Sequence, residues 1–309
     1  MGDYGRDVEF GIFPTPSADT LADVYAMVAA AEHGGLDLVG IQDHPYQRRF
    51  VDAFVLAGSI LERTSRLRVF PDVANLPLRS PATIAKTAAS LDLISGGRFE
   101  LGLGAGAFWS AIEALGGPAH HPGAAAGALR EAVEVIRLLW SQERSVSFSG
   151  RHYRLAGTKP GPRPAHEVGI WLGVGGPKLL SFVGAAADGW VPSASYFPPE
   201  VLPGLHQRID AGAASVGRDP AGVKRVYNVF GSITESSADG KEPVPFQWPA
   251  RRWVEELTAL VVDGGMDTFV FGPGADVVRQ VEVFAAEVAP AVREAVARER
   301  GSTPAISTV

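Results

Sequence analysis

The stretch RVFPDVANLPLRSPATIAKTAASLDLISGGRFELGLGAGAFW, from Arg68 to Trp109, decides the fold. It reads in order as a strand, a polar loop, an amphipathic helix, a second strand and a glycine-rich loop. The polar residues and the glycines stand where each strand ends. This order predicts a βαβ unit with its functional groups at the carboxyl ends of two neighbouring parallel strands, where parallel α/β proteins place their sites.

Composition excludes several classes of function. The chain has 309 residues, of which 46% are hydrophobic and 20% charged, as in a globular protein. A net charge of -6 without a basic patch argues against a nucleic-acid partner. Cysteine is absent, so disulfides, thiolate nucleophiles and iron–sulfur clusters are excluded, and any redox chemistry needs a bound cofactor. We find neither a signal-peptide pattern nor a run near the ~20 apolar residues that span a bilayer, so we expect a cytoplasmic protein without a membrane partner.

Short apolar runs alternate with amphipathic segments along the whole chain. Helical periodicity is clear in Leu21, Val24, Tyr25 and Val28, which follow one another at i, i+3, i+4 and i+7. Eight strand-like runs precede such segments: Glu9 to Phe13, Leu38 to Ile41, Leu67 to Val73, Arg98 to Leu103, Gly169 to Val174, Gly189 to Pro192, Arg225 to Phe230 and Thr268 to Phe271. Eight strand–helix units predict an α/β fold of the (β/α)8 TIM-barrel type, with residues 1–309 as a single domain. A doubly wound open sheet is the alternative.

Two insertions interrupt this repeat, after the fourth and the seventh strand. Val146 to Leu155 alternates around Ser149-Gly150 and predicts a small hairpin. Ser236 to Pro249 is rich in Gly, Pro and polar residues, and is either a lid over the strand ends or an uninvolved surface loop.

Ionisable and amide side chains follow two of the predicted strands. The second strand runs into Asp43-His44, and histidine is the side chain best suited to move protons near neutral pH. Its position at a strand end favours a catalytic role over a structural one. The third strand ends before Asn75, whose amide can bond a ligand or form an Asx turn.

Two glycine-rich loops follow later strands. Gly102-Leu103-Gly104-Ala105-Gly106 fails the dinucleotide pattern, because Ala107 stands where a glycine is required, but it permits a flat ligand to approach the backbone. Gly175-Gly176-Pro177 opens a helix, so it is either an anion site or an ordinary turn. His120-His121 has no ligand at a recognisable spacing, so we predict no metal site.

Four segments together resemble the luciferase-like monooxygenase superfamily, and most closely its F420-dependent oxidoreductase branch. They are GIQDHPYQ, the long block beginning DVANLP, GIWLGVGGPKLL and AADGWVPS, and the similarity runs from Phe10 to about Val288. The resemblance implies a barrel of the bacterial luciferase-like type that binds coenzyme F420 or, alternatively, FMN. It also implies a non-proline cis peptide around Val73-Ala74, a homodimer, and a flavin or F420 reductase that supplies reduced cofactor.

The resemblance assigns roles to individual positions. His44 would be the proton donor or acceptor, with Asp43 orienting it or lying behind it. Phe13, Trp109 and Tyr196 would line the substrate pocket. The cofactor ring and phosphate would contact Val73, Ala74, Asn75, Gly104, Ala105, Gly106, Gly175, Gly176 and Pro177.

Two departures from the sugar-phosphate dehydrogenases of the branch bear on the substrate. Ala107 replaces their acidic residue, and we find no basic cluster for a substrate phosphate. We therefore expect hydride transfer between F420 and a small, mostly apolar organic molecule. The alternatives are a two-component monooxygenase that uses FMNH2 and O2, and a non-catalytic barrel that carries or senses a cofactor.

Overall fold

The computed structural model describes residues 2–118, 122–235 and 246–302. His120-His121 and most of the predicted lid, residues 236–245, therefore lie outside the described residues. The strands are β1 (Glu9–Ile12), β2 (Leu38–Ile41), β3 (Arg68–Pro71), β4 (Ala74–Asn75), β5 (Leu101–Gly104), β6 (Val146–Ser149), β7 (Arg154–Thr158), β8 (Ile170–Gly173), β9 (Gly189–Trp190), β10 (Lys224–Thr234), β11 (Gln247–Pro249) and β12 (Thr268–Pro273).

Helices follow the strands in the order that the sequence predicts. They are α1 (Leu21–His33), α2 (Ala53–Arg63), α3 (Pro81–Ser95), α4 (Trp109–Ala114), α5 (Pro122–Leu139), α6 (Pro177–Ala186), α7 (Leu202–Ala214), α8 (Ala250–Val262), α9 (Val277–Val283) and α10 (Ala289–Ser302). A π-helical turn, Phe284–Val288, joins the last two. No helix in the described part of the chain is long and apolar enough to cross a membrane.

The parallel strands form a nearly closed ring. Pairing runs in the order β3, β2, β1, β12, β10, β9, β8, β5, β4. The ring closes at β3, because the N–H of Val69 donates to the carbonyl of Arg98 and the N–H of Glu100 donates to the carbonyl of Val69. Since β3 and β4 are two pieces of one predicted strand, the ring has the eight positions of a TIM barrel, and the (β/α)8 prediction is confirmed.

The third barrel strand is interrupted exactly where its side chains meet the predicted site. The expected non-proline cis peptide bond is present and joins Asp72 to Val73, one residue before Val73-Ala74. After the break, β4 pairs with β5 through Ala74 and Asn75. The strand thus turns its backbone towards the carboxyl-end face of the barrel.

The barrel interior is filled by a small apolar layer. Six buried residues form it, each on or next to a different strand: Leu38, Phe70, Trp171, Val191, Val226 and Val270. The larger core lies between strands and helices, where Trp253 and Phe284 are fully buried. Both cores leave the carboxyl-end face free for a site.

The first predicted insertion is confirmed, and the second is described only in part. β6 and β7 pair antiparallel as a hairpin, which extends to Thr158. The backbone N–H groups of its turn, residues 151–153, donate to the Glu131 carboxylate on α5 and fix the hairpin to that helix. In the second insertion, β11 pairs in parallel with the end of β10.

Candidate functional site

A cavity of about 770 Å³ opens at the carboxyl ends of the strands. Most of the predicted site residues line it: Asp43, His44, Val73, Ala74, Asn75, Gly104, Ala105, Gly106, Trp109, Gly175, Gly176, Pro177 and Tyr196. The fold thus brings together positions that are up to 153 residues apart in the printed sequence, from Asp43 to Tyr196. Their individual roles remain predictions.

A second, smaller cavity of about 320 Å³ adjoins the first. Phe13, the remaining predicted pocket residue, lines this one. Four side chains are shared by the two cavities: His44, Asp72, Ser193 and Tyr196. Two of these four are titratable groups that can exchange a proton near neutral pH, so the junction is suited to proton transfer.

His44 lies at this junction with a defined orientation. Its Nδ1 is hydrogen-bonded to the Tyr46 hydroxyl at 2.5 Å, and its ring meets Phe108 edge-on at 5.6 Å between centroids. Burial lowers the pKa of His44, although the nearby charge of Asp43 opposes that shift. Burial also raises the pKa of Tyr46 to about 12, so the phenol keeps its proton. Where the phenol donates to Nδ1, the neutral imidazole carries its proton on Nε2, and in the other tautomer Nδ1–H donates to the phenol oxygen.

The sequence leaves two positions open for Asp43, orienting His44 or lying behind it, and the hydrogen bonds of its carboxylate among the described residues go to groups other than His44. The Asp43 carboxylate accepts hydrogen bonds from Nε and Nη2 of Arg79, at 2.9 and 3.0 Å, and from the N–H of Asn75 at 2.9 Å. Arg79 also donates to Asp52, which caps α2. The reason is that β4 places the backbone N–H of Asn75, and the turn after β4 places the guanidinium of Arg79, within reach of this buried carboxylate. Asp43 therefore fixes the backbone of β4 and acts on His44 only through its charge.

Two glycines make room for the Val73 side chain, which lines the larger cavity. A Cβ atom at Gly104 or at Gly173 would lie 2.7 or 2.8 Å from the Val73 side chain. Nearby, Oδ1 of Asn75 is buried and has no hydrogen-bond partner among the described residues. A flat ring with a hydrogen-bond donor at its edge fits both features.

The start of α6 forms the other end of this cavity. Gly176 is its N-cap residue and Pro177 its first residue, so backbone N–H groups at this end have no partner in the helix. A Cβ atom at Gly176 would meet nothing within 4 Å, which leaves room for a ligand. Lys178 is exposed and also lines the cavity. An anionic group fits here.

Sequence reasoning missed Asp72, Ser193 and Asn228. All three line the smaller cavity, and Asp72 and Asn228 are buried. A signal was present, because strand residues alternate between two faces and Asp72 stands two positions after the inward-facing Phe70. The same spacing relates Asn228 to Val226 and Ser193 to Val191.

The chain matches known proteins over nearly its full length. The family model described as luciferase-like monooxygenase matches residues 8–289. An F420-dependent glucose-6-phosphate dehydrogenase of Kineococcus radiotolerans is 30% identical, over 94% of this chain and 98% of that protein.

Solved structures share the fold at lower identity. An F420-dependent secondary alcohol dehydrogenase, in complex with an F420-acetone adduct, has a TM-score of 0.82 and 21% identity over 93% of this chain and 99% of its own. A monooxygenase from Streptomyces bottropensis has a TM-score of 0.72 and 18% identity over 91% of this chain and 99% of its own.

Proposed function

Because the chain belongs to the luciferase-like monooxygenase family, we propose that it is an F420-dependent oxidoreductase that transfers a hydride between coenzyme F420 and a small organic substrate. The observation that carries the proposal is the junction of the two cavities, where His44 lines both the larger cavity and the separate smaller one. The 30% identity to an F420-dependent dehydrogenase over nearly the whole chain supports the choice of cofactor.

The larger cavity has the features that the coenzyme requires. Its ring fits the floor of Val73, Gly104 and Gly173, with Asn75 as the hydrogen-bond acceptor at its edge. Its phosphate fits the start of α6 at Gly176, close to Lys178. When bound, coenzyme F420 supplies hydride chemistry at its deazaflavin ring. The protein contributes orientation, exclusion of water and a place for the accompanying proton.

His44 is suited to a role in the proton's path. Because burial lowers its pKa, its imidazole is neutral at pH 7 and can both donate and accept. The hydrogen bond between Nδ1 and Tyr46 leaves Nε2 as the atom available to a ligand. Histidine in this position can polarise a substrate oxygen or carry its proton.

The smaller cavity suits a neutral substrate. No lysine or arginine is among its lining residues in the described part of the chain, so a phosphate group would find no cation there. Its walls combine Phe13 and Phe230 with the polar side chains of Thr15, Gln42 and Asn228. This mixed lining favours a substrate that carries an oxygen function. A small neutral carbonyl compound or alcohol fits, and glucose 6-phosphate does not.

The test is an anaerobic assay of reduced F420 with a panel of neutral ketones and aldehydes that includes acetone. We expect the absorbance of oxidised F420 to rise only when a carbonyl compound is present, because hydride transfer needs no oxygen. Product formation that requires O2 and FMNH2 would contradict the proposal and indicate the two-component monooxygenase. Tight F420 binding without turnover on any compound would contradict it in favour of a cofactor carrier.

A further inference from the structure

A polar layer lies directly above the apolar layer inside the barrel. Each of the six apolar residues is followed, two positions later on its own chain segment, by a residue of this second layer: Gly40, Asp72, Gly173, Ser193, Asn228 and Gly272. Residues two apart on a strand face the same side, so this layer also faces the barrel axis. Three glycines leave space, and the three remaining side chains are polar.

Those three polar side chains form one hydrogen-bonded unit. Nδ2 of Asn228 donates to Oδ1 of Asp72 at 3.0 Å and to Oγ of Ser193 at 3.2 Å. Both amide protons of Asn228 are used in this way. Asn228 therefore fixes the position of the Asp72 carboxyl and links it to the hydroxyl that lines both cavities.

Two acceptor oxygens in this unit lack a donor. Oδ2 of Asp72 and Oδ1 of Asn228 are buried and have no hydrogen-bond partner among the described residues. Gly40 makes room for the first, because a Cβ atom there would lie 2.8 Å from Oδ2 of Asp72. Buried acceptors of this kind are satisfied by a proton on the carboxyl or by a ligand hydroxyl.

The surroundings of Asp72 do little to stabilise its charged form. The residue is 9% exposed, and none of the ion pairs found in the described part of the chain includes it. Burial raises its pKa to about 7, and the hydrogen bond from Asn228 opposes this shift only in part. The acid and its conjugate base are therefore both populated near neutral pH, as a group that exchanges protons requires.

We propose that Asp72 is a catalytic residue that donates a proton to, and accepts a proton from, an oxygen of the substrate in the smaller cavity, and that Asn228 is its positioning residue. This inference rests on the proposed hydride transfer. Asp72 lines both cavities, so it lies where a substrate meets the larger cavity. If the smaller cavity held only solvent, it would need neither a buried carboxylic acid nor an amide that holds this acid in place.

The step balances in protons and electrons. In substrate reduction, the carbonyl carbon gains the hydride, so the carbonyl is reduced and the coenzyme is oxidised. The π-electron pair of the C=O bond moves to the oxygen, which forms a bond to the proton of Asp72. The carboxyl O–H bond breaks and leaves its electron pair on the carboxylate. Solvent takes up the proton released on coenzyme oxidation and returns one to Asp72.

The test compares Asp72→Asn and Asn228→Ala with the wild-type protein, and uses Asp23→Asn on the exposed surface of α1 as the matched control. F420 affinity and the pH profile of kcat are measured with acetone as the probe. We expect kcat of the wild-type protein to fall as pH rises through about 7, because Asp72 loses its proton. Asp72→Asn should lower kcat by about 10²-fold or more and remove this limb, with F420 affinity within about twofold.

Asn228→Ala tests the positioning role without removing the acid. The hydrogen bond from Asn228 holds the pKa of Asp72 down, so its loss should move the same limb to higher pH. Infrared difference spectra of wild type minus Asp72→Asn supply a readout without substrate. We expect a protonated-carboxyl band at pH 6 that disappears by pH 8.

The outcomes distinguish failure of the role of Asp72 from failure of the proposed function. An unchanged kcat and pH profile in Asp72→Asn, with an active wild-type protein, would overturn the role of Asp72 alone. Absence of the carboxyl band at pH 6 would also overturn it, even if the variant is inactive for another reason. A wild-type protein that neither binds nor oxidises reduced F420 would overturn the proposed function, and the role of Asp72 would fall with it.

Discussion

At the scale of single residues, His44 depends on its neighbours for its protonation state. Burial keeps its pKa below 6.5, and Tyr46 holds Nδ1. His44→Ala should slow turnover by about 10² to 10⁴-fold, as expected for loss of acid–base catalysis. The control is His33→Ala, which changes an exposed histidine on α1. Steady-state assays with reduced F420 measure the effect, and near-normal turnover in His44→Ala would remove the assignment.

Asp72 should also leave a signature in stability. Its pKa is raised from 3.8 to about 7 in the folded protein, so the folded state binds more protons than the unfolded state between these values. The free energy of unfolding therefore falls as pH rises through this window, by up to about 4 kcal/mol from this group. Asp72→Asn stays neutral, so its stability relative to wild type should increase from pH 5 to pH 8. Urea unfolding at both pH values measures this, and a pH-independent difference would contradict it.

The residues that the sequence assigned to the site line the two cavities, and their roles stay predictions. His44 and Asn75 follow strand ends, and that position is visible in the sequence. The partner of Asp43 could not be read from the sequence, because Arg79 approaches Asp43 only through the turn after β4. Asp72 was not predicted as a site residue, although it stands on the inner face of its strand. An acidic residue in an apolar run is easily interpreted as the polar end of the strand.

At the scale of elements, Arg79 joins three of them. It pairs with Asp43 after β2 and with Asp52 at the start of α2, and its guanidinium lies 4.6 Å from the centre of the Phe54 ring. Arg79→Met would leave Asp43 buried and unpaired, which should lower the free energy of unfolding by about 3 kcal/mol. Urea unfolding measures this loss.

A double-mutant cycle is the control for that loss. Adding Asp43→Asn to Arg79→Met removes the unpaired carboxylate and should recover part of the stability. A loss below about 1 kcal/mol in Arg79→Met would show that the link between β2, β4 and α2 is not what fixes this side of the site.

The start of α6 can be tested without disturbing the fold. Gly176 has a φ of -71°, which any residue adopts, and an added Cβ atom meets nothing within 4 Å. Gly176→Ala should therefore leave the melting temperature unchanged while it weakens F420 binding, by about tenfold or more, because the methyl group occupies ligand space. The matched control is Gly204→Ala on α7, where the added atom is equally free of contacts. Unchanged affinity in Gly176→Ala would remove α6 from the phosphate site.

Most elements could be predicted from the sequence because their periodicities are strong. The alternation in Val146 to Leu155 predicts the hairpin, and Gly150 stands in its turn. The division of the third strand into β3 and β4 was less accessible. It depends on the cis bond after Asp72, which the resemblance implied around Val73-Ala74.

At the scale of the whole molecule, the eight strand–helix units were enough to predict a closed barrel. Closure itself depends on pairing of Val69 with residues flanking Phe99, more than 25 residues away, which no local pattern reveals. The two cavities were equally hidden, because residues of many separate segments line them, and these segments meet only in the closed ring. The predicted homodimer remains a prediction.

The most direct test of the account is a titration of the purified apo-protein with F420 and with FMN, followed by the fluorescence of each cofactor. We expect micromolar or tighter binding of F420 and much weaker binding of FMN. The reverse preference would contradict the account and assign this barrel to oxygen-dependent flavin chemistry.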